Sequence, residues 1–274
     1  MIKLIALDLD GTLLTPEGEI TAGAKAAIAA ARKKGVRVVL NTGRAGAEAM
    51  YFAREAGCDH LLSGLGGACL ADWEQGAVVH RTDIPWESGR KALELCLNRE
   101  IELMIFAGNG VVLDPFSKES LLRGYPFPVF HDLAVVAEEP LTYMDQRGLP
   151  LTKLHGDRKP GQYPLRELAA LPGIALTAAS DHDFELVAAG VDKGKALAWI
   201  AKQYGIDLKD CAAVGDSDND MAMLRVVGTP VAMGNASDAV KAACCHVAGT
   251  NREDGVAQAI WFCLQKDGVC AAWK

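Results

Sequence analysis

The first apolar stretch, Ile2 to Leu7, is short, aliphatic and interrupted by one lysine, and it ends abruptly at Asp8. Such a run predicts a strand buried on both faces. Thr21 then caps a predicted helix with the stripe Ala24, Ala27, Ile28 and Ala31, which Gly35 ends. Val36 to Leu40 predicts a second strand, and Ala45 to Ala56 a second helix closed by Gly57. Leu61 and Leu62 predict a third strand, with a turn at Gly64, Gly66 and Gly67. Strands that alternate with helices imply parallel βαβ units, hence an α/β fold with a Rossmann-like, doubly wound sheet.

The pattern changes between about Asp83 and Gly190, where prolines and turns become more frequent. Strand-like pieces (Leu103 to Phe106, Ala175 to Ala178) and helical pieces (Gly89 to Leu97, Leu165 to Leu171) predict a second α/β domain inserted into the first. The expected division is a core of residues 1–82 and 191–274 around an insert of 83–190. Gly190, at one junction, suits a hinge. After Lys193 the core pattern returns. Ala196, Leu197, Ile200, Ala201 and Tyr204 make a helical stripe, and Cys211 to Val214 and Thr229 to Met233 read as strands. Ser237 caps a further helix, and Gly255 to Leu264 predicts a last one.

Composition narrows the choice. The 274 residues carry a net charge of −7 with no Lys/Arg cluster, which argues against nucleic acid and acidic membranes as partners but leaves room for a small basic pocket. Eight cysteines without a CxxC pair read as free thiols of a reducing, cytoplasmic compartment. The six histidines lack metal-ligand spacing. Leu4 to Leu7 is too short for a signal-peptide core, and no apolar run reaches membrane-spanning length.

The candidate chemistry lies where predicted strands end. In open α/β sheets ligands bind outside the carboxyl ends of the strands. Asp8 and Asp10 stand there together, and two such carboxylates need a cation or a shared proton. Mg²⁺ suits them, since it takes oxygen ligands and combines one or two carboxylates with substrate phosphate. Asp-Gly alone is equally a common turn dipeptide. The longer pattern Asp-x-Asp-Gly-Thr arises by chance in only about a few chains per thousand of this size. A second acidic group, Gly215-Asp216-Ser217-Asp218-Asn219-Asp220, follows another aliphatic strand. With a helix starting near Ser217, Asp216 and Asp220 share one side at i, i+4. Acidic residues also favour a helix's first turn, but three within five residues exceed what a cap needs.

Two phosphate-type signals lie between these groups. Asn41-Thr42-Gly43-Arg44 ends a strand and begins a helix, where free N–H groups and a hydroxyl can hold an anion. Viewed alone, Thr42 is as readily a plain N-cap. Lys193-Gly194 opens a helix, where a lysine opposes the dipole and gains from an anionic partner, with Lys195 as the rival candidate.

With these four segments in this order, the whole chain resembles the haloacid-dehalogenase superfamily of phosphohydrolases, in particular its Cof-like sugar-phosphatase branch with an α/β cap. Asp8 to Leu13 matches the first family motif and Thr42-Gly43-Arg44 the second. Lys193-Gly194 fits the third, and Gly215-Asp216-x-x-Asn219-Asp220 the fourth. Val231-Ala232-Met233-Gly234-Asn235-Ala236 and Glu253-Asp254-Gly255-Val256 are similar to typical segments of the branch. Two positions depart from it: Asn41 stands where many relatives have Ala, and Gly66 where they usually have Asn.

The resemblance implies a Mg²⁺-dependent phosphatase acting on small phosphorylated metabolites. Asp8 is then the nucleophile and Asp10 the general acid and base. Asp8, the Asp10 carbonyl and Asp216 hold the metal. Thr42, Gly43 and Lys193 grip the phosphoryl group, and Asn219 and Asp220 support from behind. The insert then reads the leaving group. A phosphomutase or other phosphotransferase on the same core is the enzymatic alternative, and a non-catalytic binder of phosphorylated ligands the other. A dinucleotide-binding oxidoreductase is weaker, because Gly64-x-Gly66-Gly67 lacks the GxGxxG spacing.

Overall fold

Four consecutive aliphatic residues form strand β1 (Leu4–Leu7), every one buried, as a run that is apolar on both faces requires. It opens a computed structural model that describes residues 1–97, 99, 101–157, 163–179 and 183–265. Helix α1 (Ala22–Lys33) follows, with the Thr21 hydroxyl accepting from the Ala24 N–H at 3.0 Å. Strand β2 (Arg37–Leu40), helix α2 (Gly46–Ala56) and strand β3 (Leu61–Gly64) come next. A hairpin then departs from the simple βα alternation. Strands β4 (Cys69–Asp72) and β5 (Ala77–Arg81) join β3 in a separate three-stranded sheet. The glycines after β3 are therefore a hairpin turn, and β3 touches the parallel sheet through one bridge, Asn41 to Ser63.

The chain divides into two units, Met1–His80 with Asp192–Lys274, and Arg81–Val191. The second unit holds α3 (Trp86–Leu97), β6 (Glu102–Ala107), β7 (Gly110–Leu113), α4 (Pro115–Gly124), α5 (Pro128–Leu133) and β8 (Ala134–Val136). After them come α6 (Pro140–Arg147), β9 (Leu151–Asp157), α7 (Leu165–Ala169), β10 (Ile174–Ala179) and β11 (Asp183–Ala188). Its six strands make a mixed sheet in the order β10-β11-β9-β6-β7-β8. Alternate residues Leu103, Ile105, Leu154, Phe184 and Leu186 pack with Leu93, Cys96 and Met144 as its core.

The chain then returns to the first unit. It adds α8 (Lys193–Gln203), β12 (Cys211–Gly215), α9 (Met221–Leu224), β13 (Thr229–Ala232), α10 (Asp238–Ala242), β14 (His246–Val247) and α11 (Gly255–Gln265). The main sheet runs β14-β13-β12-β1-β2, with all pairs parallel. Leu4 and Ala6 face one side, against Leu197, Ile200 and Met223. The helices α1 and α11 pack with each other and against β2 and β12. This is the doubly wound α/β arrangement that the alternation predicts.

Cys58, Cys69, Cys96, Cys211, Cys244 and Cys263 are free thiols. Cys245 departs from the sequence expectation, being disulfide-bonded; spacing alone carries no sign of that pairing. Cys270, one of the eight cysteines, lies outside the described residues. Among the described residues no helix is long and apolar enough to cross a membrane.

Candidate active site

Parallel pairing brings the strand ends level. Leu7 stands opposite both Leu40 and Val214, so Asp8, Asn41 and Gly215 leave the sheet side by side. Thr42 and Asp216 follow one residue on. From Leu9 to Leu13 the backbone makes one wide turn, closed by the Leu14 N–H donating to the Leu9 carbonyl at 2.9 Å. Within it Asp10 is extended and Gly11 left-handed, with φ 77°. A Cβ on Gly11 would stand 2.4 Å from Asp216 Oδ2, so backbone conformation and close approach both require glycine. Thr12 Oγ1 donates to Asp216 Oδ1 at 2.7 Å.

Lys193 begins α8 and turns inward. Its Nζ donates to Asp8 Oδ1 at 2.7 Å, Asn219 Oδ1 at 2.8 Å and Asp220 Oδ1 at 2.6 Å. These three acceptors match the three N–H donors of an ammonium. Lys195 instead is exposed, 3.6 Å from Asp192. The fully buried Asp220 uses its other oxygen to accept from the backbone N–H groups of Asp216 and Ser217, at 2.9 and 3.0 Å. One carboxylate thus fixes both the lysine and the loop that carries Asp216. The start of α8 is also braced from behind. Asn41 Nδ2 donates to the Lys193 carbonyl at 2.8 Å, and a Cβ on Gly67 would lie 2.5 Å from the Asp192 carbonyl oxygen.

The electrostatics follow from this crowding. Burial raises the Asp8 pKa well above the ordinary carboxylate range, with Asp220 and Asp216 pushing the same way and Lys193 opposing them through its charge and its hydrogen bond. Burial, helped by Asp220, pushes Asp216 up to about 6 against the Thr12 hydrogen bond. Burial opposes the Lys193 ammonium, but Asp220 and Asp8 outweigh it and its pKa rises. Oxygens of Asp8, Asp216 and Asp220 lie within 4.8 Å of one another. Three carboxylates around one ammonium leave excess negative charge, and a hard-oxygen donor set suits a small divalent cation. The residues present therefore fit a metal ion.

Asp10 points elsewhere. Arg44 grips its carboxylate with two prongs, Nε to Oδ2 at 2.9 Å and Nη2 to Oδ1 at 2.6 Å. Arg44 Nη1 also donates to the buried Glu48 at 3.1 Å, and its guanidinium lies 5.4 Å from the Phe52 ring centroid. Sequence reasoning missed Arg44 and Glu48 as a unit, although their i, i+4 spacing at a helix start is the signal that finds them. It missed as well the link from Thr12 to Asp216. Thr42 is fully buried and is not the cap of α2. Its Oγ1 accepts from the Arg44 N–H at 3.2 Å, and the helix begins at Gly46. Gly43 is half-buried in the intervening turn. Gly66 has φ 66° and open space where a side chain would project, so the departure from the usual Asn leaves room rather than a clash. Among the described residues, Asn41 Oδ1 and Ser63 Oγ are buried without a partner.

Residues 5–260 match the sequence profile of the haloacid dehalogenase-like hydrolases. The chain belongs to that family. It is 30% identical to phosphatase YwpJ of Bacillus subtilis (strain 168), spanning 93% of this chain and 98% of the relative. It is 29% identical to pyridoxal phosphate phosphatase YbhA of Escherichia coli (strain K12), over 94% and 97% of the two chains. The crystal structure of a haloacid dehalogenase-like hydrolase from Bacteroides thetaiotaomicron superposes with a TM-score of 0.82 at 27% identity, covering 96% and 99%. The chain is thus a Cof-like haloacid dehalogenase-type phosphatase, a phosphoric monoester hydrolase. Enzymes of this family use a metal ion, which agrees with the aspartate cluster.

Proposed function

We propose that this phosphatase hydrolyses small phosphorylated metabolites, sugar phosphates or similar monoesters, with Mg²⁺ as its metal and a phosphoryl-enzyme formed on Asp8. The supporting observation is the buried pair of Asp8 and Lys193 at the strand ends, inside a cluster of carboxylates too negative to be self-contained. Asp8 and Asp216, with the Asp10 carbonyl, would hold Mg²⁺, which supplies charge neutralisation at the phosphoryl oxygens.

Asp8 attacks phosphorus, the ester P–O bond breaks, and Asp10 gives its proton to the departing oxygen. Asp10 then takes a proton from water as that water attacks the acyl phosphate, which releases phosphate and restores Asp8. Lys193, the Thr42 hydroxyl and the Gly43 backbone hold charge that develops on the phosphoryl oxygens. Asn219 and Asp220 keep Lys193 aimed. The inserted unit reads the leaving group, which makes substrate choice separable from the chemistry.

Rapid quenching during turnover, followed by borohydride reduction and peptide mass analysis, tests this directly. A reduced residue is expected at position 8 and nowhere else. Steady hydrolysis with no trapped residue at Asp8 would overturn the covalent route, and an isomerised sugar phosphate in place of free phosphate would mark a mutase.

A further inference from the structure

The segments after β13 and before α11 have no part in the chemistry above, yet they hold the loop that does. Asn235 follows the carboxyl end of β13, on the same edge of the sheet as Asp8. Its Nδ2 donates to the Gly11 carbonyl at 2.8 Å, and its Oδ1 accepts from the Asn251 N–H at 3.0 Å. Asn251 in turn donates through Nδ2 to the Leu14 carbonyl at 2.8 Å. One amide therefore grips the middle of the turn from Leu9 to Leu13 and a second grips its exit. Arg252 adds an ion pair to Glu17 at 2.8 Å, and the Thr21 hydroxyl donates to Asp254.

The chemistry of the two side chains suits the place. The turn presents carbonyl oxygens, so its holder must donate, and the site beside it is already rich in carboxylates. A neutral amide donates and accepts at once without adding charge. The turn also has little regular pairing of its own. Gly11 is left-handed, and both Gly11 and Thr12 rest on Asp216. A shift of the Gly11 carbonyl therefore moves the neighbouring Asp10 and disturbs the packing on Asp216.

We propose that Asn235 and Asn251 form a clamp on the catalytic loop, with Asn235 the positioning residue for Asp10. This rests on the roles given above to Asp8 and Asp10. The clamp acts through the loop and does not touch substrate.

The test uses the full chain with Asn235→Asp, which keeps the shape and loses the donor, and Asn235→Ala, which loses it without adding charge. Steady-state kinetics on an alkyl and an aryl phosphate are paired with amide hydrogen exchange of the metal-free protein. For the alkyl ester, kcat should fall roughly 10- to 100-fold with KM little changed, and the aryl ester, needing less from Asp10, should lose less. Amides of Thr12 to Leu14 should exchange about 10-fold faster while those of β1 and β12 keep their protection. Asn251→Ala should reproduce the effect more weakly, and it carries the test if neither Asn235 variant folds. Faster exchange with unchanged kcat would reduce the clamp to a structural role, and lower kcat with unchanged exchange would put Asn235 on the substrate. Either outcome overturns the proposal, as does no change in either measurement. Absence of hydrolysis by the parent protein would instead count against the phosphatase mechanism, while loop exchange still reports the clamp.

Discussion

Two lysines are equally hidden, Lys193 in the core and Lys153 in the inserted unit, each with a side chain 2% exposed. Their effects on the neighbouring acids are opposite. Lys153 on β9 donates to Glu185 of the adjacent strand β11 at 2.5 Å, with His155 alongside at 3.5 Å. Burial works against the Glu185 carboxylate, but Lys153 and His155 outweigh it, and its pKa falls below the usual range. Around Lys193 the pKa values of Asp8 and Asp216 rise instead. A matched pair makes a finished piece of structure. One ammonium that bonds Asp8 and Asp220 beside a third carboxylate, Asp216, makes a site with an appetite for positive charge. The two buried lysines thus sit in surroundings of opposite electrostatic balance, one that favours its acid's charge and one that opposes it.

Removing one acid from each cluster should break the comparison most visibly. Asp8→Asn is expected to lose activity by roughly 10³-fold or more, since an amide is no nucleophile. The metal-free variant should be no less stable than its parent, having shed a repelled charge. Near-normal turnover would remove both the mechanism and the contrast.

Glu185→Gln should do the reverse, leaving Lys153 charged and buried beside an amide. A loss of about 3 kcal/mol in urea unfolding is expected. If the variant unfolds at the same denaturant concentration as the parent, the insert's pair is not the strut described.

Arg44 is an intermediate case, a cation between an acid turned outward and one turned in. Arg44→Lys keeps the charge but cannot grip Asp10 with two prongs. Its kcat on alkyl phosphates should drop about 10-fold, with a smaller loss on aryl phosphates. Equal losses on both would detach Arg44 from the placement of Asp10.

The smallest effect concerns pH. Asp216 titrates near 3.8 when unperturbed and at about 6 in the folded chain. The folded state therefore keeps a proton that the unfolded chain has released, and stability declines as pH rises through this window. Asp8 acts in the same direction. Glu185 contributes oppositely but below its ordinary value of 4.5, which leaves the upper part of the window to the cluster. Between about pH 5 and 6 the metal-free protein should lose on the order of 1 kcal/mol, and saturating Mg²⁺ should cancel the slope. A flat profile without metal would mean that Lys193 already satisfies its three neighbours.

Most of the core was legible because its signals are local. Apolar runs ending in acidic or hydroxyl residues identify β1, β2 and β12, and Thr21, Gly57 and Ser237 punctuate the helices as their chemistry dictates. The hairpin of β3 and β4 escaped notice because its glycines look the same in any turn. At the site, the resemblance already joined Asp8 to Asp216 and set Asn219 and Asp220 behind Lys193, while contacts outside those roles were missed. Thr12 reaches Asp216 and Asn235 reaches Gly11 across more than two hundred residues, separations at which no periodicity survives. Arg44 was visible as a residue, but which acid it would choose depends on the turn that faces Asp10 outward.

The placement of β1 has a consequence for synthesis. It is flanked by β2 on one side and by β12 on the other, and β12 begins only at Cys211. While the chain is being made, one edge of β1 stays bare through translation of the whole inserted unit, an open template for wrong pairing. Asp8 emerges from the ribosome 185 residues ahead of Lys193, and Asp216 later still. A prematurely terminated chain would carry Asp8 without its ammonium partner or the acids around it. The cluster of Asp8, Lys193, Asp216 and Asp220 is assembled only when the last third of the chain has closed the sheet.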